Sequence, residues 1–146
     1  MAERRTRTSR AGLWVFLAGS AAIAAACFWA RARLGVADIV GQSMEPFLNS
    51  GDRVLFRRGK STIRRGDVIV LRSPVPGSHD PIIIKRVAAV QGDAISAEMG
   101  HGVASVPADH LVVLGDNGRS SLDSRQFGPV STEYLIGKTI RRMRRA

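Results

Sequence analysis

Two side chains carry most of the chemistry this sequence could perform. Ser43 stands in VGQSMEPFLNSGD (Val40 to Asp52), where glycine, glutamine and a proline three positions on favour an irregular turn over a helix or a full strand. A hydroxyl in such a turn is either a nucleophile in need of a base or a group that caps the turn by bonding to nearby backbone. Lys85 directly follows Ile82, Ile83 and Ile84. Carried into the apolar surroundings such a strand seeks, its ammonium would lose hydration and its pKa would fall, leaving an amine able to take a proton. Strand alternation equally allows Lys85 to point outward while Ile84 and Arg86 take the other face.

The elements that must position these residues are short and punctuated. Five β-branched runs follow one another: DRVLFRR (Asp52 to Arg58), GDVIVLR (Gly66 to Arg72), PIIIKRVAAV (Pro81 to Val90), HLVVLGD (His110 to Asp116) and YLIGKTIRR (Tyr134 to Arg142). Turn formers such as RRG, SPVPGS, QGD and GDNG separate them, and no long 3.6-residue period appears. The pattern predicts a mainly β fold, a coiled or barrel-like antiparallel sheet filling residues 38–146.

Ahead of it, Ala11 to Ala30 holds 20 residues without a charge. As a helix these would extend about 30 Å, the hydrocarbon thickness of a bilayer. Arg4, Arg5, Arg7 and Arg10 precede the run, Arg31 and Arg33 follow it, and Trp14 and Trp29 lie near its edges. This pattern predicts a basic cytoplasmic segment (1–10), a transmembrane helix (11–30), a linker (31–37) and an extracytoplasmic domain (38–146), single-pass in the plasma membrane. A cleavable secretory signal is the competing reading, with small residues at Ala30 and Ala32, but the run exceeds the usual core of a signal peptide.

At 146 residues the chain has room for one folded domain, and its formal charge of +10 favours an anionic partner. The β-region has few aromatics to stack bases, so a lipid bilayer fits better than nucleic acid. Its basic residues, among them Arg57, Arg58, Lys60, Arg64, Arg65, Lys138, Arg141, Arg142, Arg144 and Arg145, support an alternative: a non-catalytic protein that binds the membrane surface. The lone Cys27 excludes an internal disulfide, and neither HExxH nor clustered Cys/His spacing occurs, so no metal or other cofactor is implied. His79, His101 and His110 share no local motif that would join them to Ser43 in a triad. GDNGRSS lacks the GK[ST] ending of a phosphate loop.

Four boxes, taken in order, resemble those of the type I signal peptidases (bacterial leader peptidases): SMEP with Gly51-Asp52, RGDVIV (Arg65 to Val70), IKRV (Ile84 to Val87) with Gly92-Asp93, and GDNGRSSLDSRQFGPV (Gly115 to Val130). The resemblance spans almost the whole chain and is to a minimal, single-anchor form. It implies a Ser43–Lys85 dyad, with Ser43 as nucleophile and Lys85 as general base, cleaving signal peptides from exported preproteins after Ala-x-Ala-like sites. It implies further that Ser121 orients the Lys85 amine, that Asp123 and Arg125 form an ion pair, and that Ile39, Leu48 and Ile84 line pockets for small side chains. Many relatives place an oxyanion-stabilising hydroxyl two residues before the nucleophile; here that position is Gly41. Phe47 stands where threonine is frequent. Preproteins, the bilayer and the secretion machinery are the implied partners, and a specialised maturation protease with few substrates fits as well as a general one. The SOS-type self-cleaving repressors resemble this fold and also pair serine with lysine, but carry a DNA-binding module where this chain has its apolar run.

Overall fold

The computed structural model describes residues 10–59, 61–96, 102 and 104–143. Arg4, Arg5, Arg7, Lys60, His101, Arg144 and Arg145 lie outside them, as does the side chain of Trp14. The chain forms two compact units, divided between Arg33 and Leu34.

The first unit contains the helix α1 (Arg10–Arg33). It exposes Val15, Leu17, Ile23, Phe28 and Trp29, and the Arg33 guanidinium lies 4.9 Å from the Trp29 ring. Half of the uncharged run is alanine or glycine, which lowers the apolar area it can offer a bilayer. Among the described residues no helix is long and apolar enough to cross a membrane. The expected segment is therefore helical, without its spanning role being established.

The second unit is one antiparallel sheet of seven strands: β1 (Leu34–Asp38), β2 (Arg53–Arg58), β3 (Val68–Arg72), β4 (Ile82–Val90), β5 (His110–Leu114), β6 (Val130–Ser131) and β7 (Leu135–Met143). Their spatial order is β1-β2-β7-β3-β4-β5-β6. All five β-branched runs become strands, and the fold is mainly β as expected. The sheet curls without closing, with β1 and β6 as its edges. Register shifts at Leu55/Phe56, Val70/Leu71 and Val87/Ala89 supply the bulges that increase local twist.

The central strand β3 buries Val68, Ile69, Val70 and Leu71 in succession because both of its faces are covered. Ile69 and Leu71 pack with Val87, Leu111, Val113 and Val130. Val68 joins Ile39, Met44, Leu48 and Val54 in a second cluster. Between these strands a short helix, α2 (Ser124–Phe127), is started by a capping box in which Asp123 and Gln126 bond each other's backbone.

Where a linker reaching residue 37 was expected, Leu34–Asp38 form β1 and pair with β2, Gly35 opposite Phe56. A strand of five residues containing glycine carries little apolar periodicity. Its glycine nevertheless has a purpose, since the Phe56 ring fills the space a side chain at Gly35 would need. Gly137 is as crowded on β7, where a Cβ would strike the Arg57 carbonyl of β2. Gly137→Ala is therefore expected to destabilise the fold by about 1–3 kcal/mol, read as a lowered thermal midpoint of the full chain in detergent; an unchanged midpoint would contradict the packing described.

Candidate active site

Ser43 lies in the turn between β1 and β2. The residues after it are pinned: Met44 and Leu48 are 2% and 1% exposed, and the Leu48 amide donates to the Met44 carbonyl at 2.8 Å. The serine, half-buried, is thereby held at the surface of a core it does not enter. Lys85 arrives from β4, paired with Ile69 of β3, and only 4% of its surface is exposed. The outward orientation is therefore not adopted. The Lys85 Nζ donates to the Ser43 Oγ at 2.8 Å, joining residues 42 positions apart.

Burial is the main influence on Lys85 and lowers its pKa from 10.5, while the carboxylates of Asp123 and Asp80 act in the opposite sense. Asp80 is an exposed residue on the loop between β3 and β4.

The expected Asp123–Arg125 pair forms, and it is bidentate: Nε donates to Oδ1 at 2.9 Å and Nη2 to Oδ2 at 2.7 Å. Oδ2 also accepts from the Gly115 amide at 2.9 Å and the Ser121 hydroxyl at 2.7 Å. Asp123 is fully buried. Burial alone would raise its pKa, but these donors together outweigh it and hold the carboxyl at about 2.

Ser121 departs from expectation. Its hydroxyl proton goes to Asp123, and the described hydrogen bonds include none between it and Lys85. An acceptor as strong as a carboxylate two residues away takes the proton in preference to an amine. Gly115 makes room for this arrangement: a Cβ there would collide with the Ser121 side chain and the Ser43 carbonyl.

A cleft of about 650 Å³ opens at the Ser43–Lys85 contact, lined by Val36–Met44 on one side and Pro81–Lys85 on the other. Ile39 and Ile84 line it. Leu48 does not, being a core residue packed with Val54 and Met44; its apolar character could not distinguish wall from core. Gly41 lines the cleft with φ +88, a backbone conformation that strains any other residue, and it offers no hydroxyl.

Several supporting residues lie in the quoted boxes, but the sequence assigns them no role. The Asn117 amide donates to the Ser43 carbonyl at 3.0 Å, fixing the loop after β5 against the serine. Arg86 donates to both Asp116 oxygens, at 2.8 and 2.7 Å. Among the described residues, no group of three or more His, Cys, Asp or Glu side chains is placed to hold a metal.

A family profile described as signal peptidase, peptidase S26, matches residues 10–101 and 97–143. The mitochondrial inner membrane protease subunit 2 of Schizosaccharomyces pombe is 36% identical over 115 residues, covering 73% of this chain and 63% of that protein. The subunit 2 of Mus musculus is 41% identical over 110 residues, 68% of this chain and 61% of its own length. The mitochondrial ATP-independent inner membrane protease subunit 1a of Arabidopsis thaliana is 40% identical over 117 residues, with coverages of 70% and 66%. The chain thus spans less than two thirds of each of these relatives.

The depressed Asp123 pKa sets an acid limit on stability. A carboxyl at about 2 when folded and 3.8 otherwise stabilises the fold fully above about pH 4, and that contribution, about 2 kcal/mol, disappears as pH falls through 2. Asp123→Asn should flatten this part of the profile of unfolding free energy against pH; an unaltered acid limb would show that the carboxylate is not its source.

Proposed function

The chain belongs to the signal peptidase family, peptidase S26, and from that membership together with the site's geometry we propose a serine endopeptidase that removes signal peptides from preproteins. One observation carries the reading: the buried Lys85 amine bonded to the Ser43 hydroxyl. A serine is a weak nucleophile until its proton is taken during attack, and an amine kept from charging by desolvation is a competent acceptor.

In the proposed cycle Ser43 attacks the scissile carbonyl as its proton passes to neutral Lys85. The resulting ammonium protonates the leaving amine. A water that gives its proton to Lys85 then releases the acyl group and restores the serine. The Ser43 backbone N–H is the natural donor to the developing oxyanion, and Gly41 contributes no hydroxyl to it. Asp123 and Arg125 hold the loop after β5 in place, and Ser121 completes the polar cluster beside the base.

The sheet supports a mode of substrate entry. The outer edge of β1 has no strand partner among the described residues, and β5 pairs with β4 only from Arg86 onward. Two open ladders, β1 and Ile82–Lys85, therefore flank the same cleft. An extended peptide can add between them, its backbone held by the ladders and its small side chains set against Ile39 and Ile84. Such pockets suit Ala-x-Ala-like sites.

We propose further that the uncharged run of α1 attaches the chain to a membrane. The similar proteins carry the inner mitochondrial membrane in their names, so a membrane location has support that the expected plasma membrane specifically does not. Release of the chain from membranes by alkaline carbonate would remove the anchor from this reading.

Ser43→Ala and Lys85→Ala should each lower cleavage of an Ala-x-Ala preprotein in detergent by at least about a thousandfold, while replacing all three histidines leaves it largely intact. Because the base must be unprotonated, activity should rise with pH to a plateau reached below the range of an ordinary lysine, near 10.5. Substantial turnover by either single variant, or a rate indifferent to pH, would defeat the dyad.

A further inference from the structure

Phe47 lies four residues beyond Ser43 in the same turn, yet its surroundings differ from those of Met44 and Leu48. It is 47% exposed and does not line the cleft. Two arginines hold it from different directions. The Arg86 guanidinium lies 4.6 Å from the centre of its ring, and Arg142 Nη1 donates to its carbonyl at 2.6 Å. Each arginine is itself tied to an aspartate: Arg86 to both oxygens of Asp116, and Arg142 Nη2 to Asp52 Oδ2 at 2.7 Å.

These contacts tie together the segments that meet at the site. Arg86 follows Lys85 on β4 and also donates to the Gly66 carbonyl at 3.0 Å. Asp116 precedes Asn117, whose amide holds the Ser43 carbonyl. Asp52 closes the serine turn, accepting from the Asn49 amide at 2.7 Å. Among the described residues, no ladder joins the turn carrying Ser43 to β4. The Lys85–Ser43 hydrogen bond and the packing of Ile84 on the Met44 and Leu48 cluster also join the turn to β4; the aromatic ring adds its contact with Arg86.

We propose that Phe47 is a positioning residue, acting through the Arg86 guanidinium to fix the Ser43 turn against the strand that carries Lys85. A ring face attracts a guanidinium through its quadrupole, whereas an aliphatic side chain of similar size supplies apolar cover without that attraction. Arg86 cannot drift to meet a displaced turn, because Asp116 fixes it in a two-point grip. The proposal rests on the peptidase reading above, and cleavage by the unmodified chain tests that reading separately.

The experiment compares Phe47→Leu, Phe47→Tyr and the parent, each as the full chain in detergent, for kcat, KM and thermal midpoint on one Ala-x-Ala preprotein. Phe47→Leu should lose about two- to fivefold in kcat, the scale of one partly exposed cation–aromatic contact, with KM and midpoint close to the parent's. Phe47→Tyr, which keeps the ring face, should restore kcat. A parent that cleaves while Phe47→Leu keeps full kcat would overturn the positioning role. So would a loss that follows KM or the thermal midpoint, or one that tyrosine fails to repair. A parent that cleaves nothing would instead overturn the peptidase reading itself.

Discussion

The arrangement depends on keeping one amine out of water. Lys85 is 4% exposed, and a charged ammonium there would forfeit hydration that, among the described residues, no carboxylate in direct contact replaces. Asp123 and Asp80 act on it only from a distance, favouring the charged form without overcoming burial. The fold provides this environment by placing β4 beside the buried Val68–Leu71 of β3 and by closing the serine turn over the end of the side chain. Without that enclosure the same two residues would be a solvated lysine and an ordinary turn hydroxyl.

The supporting polar groups divide the electrostatic work. Asp123 is as buried as a charge can be, but guanidinium, hydroxyl and two amides satisfy it, so it is a stable anion. Lys85 is desolvated, and among the described residues its amine bonds to the Ser43 hydroxyl. A buried polar network that is fully partnered is rigid, whereas a buried group short of partners is costly to keep charged. Gly115 is small enough to let the Ser121 side chain and the Ser43 carbonyl come together between Asp123 and Lys85.

Much of this was legible in the sequence, and what was not has physical reasons. The five main strands are visible because β-branched runs between turn formers have little else to become. Ser43 and Lys85 stood out by context, yet their meeting across 42 residues is a property of topology that no local pattern encodes. The strand β1 was hidden by its shortness and by Gly35, whose role appears only once the Phe56 ring is seen to occupy its space. Leu48 illustrates a different limit, since a leucine looks the same whether it walls a cleft or fills a core. The donation of the Ser121 hydroxyl to Asp123 is likewise invisible in the sequence, because it depends on how the loop after β5 folds back on itself. Arg86 and Asp116 lie in the quoted boxes, yet their pairing with each other shows only once β4 and β5 are aligned, with Arg86 opposite Leu114.

The paired open ladders beside the cleft have a consequence for timing. If a polypeptide adds to them as proposed, it could do so only while its own amides and carbonyls are unengaged, so a cutting point wound into a helix or folded into a finished domain would present nothing to grip. Selection by such a groove would rest on conformational availability as much as on side-chain size. The interval between emergence of a nascent chain and its collapse would then decide whether it is processed, which makes the gap in the sheet a kind of clock.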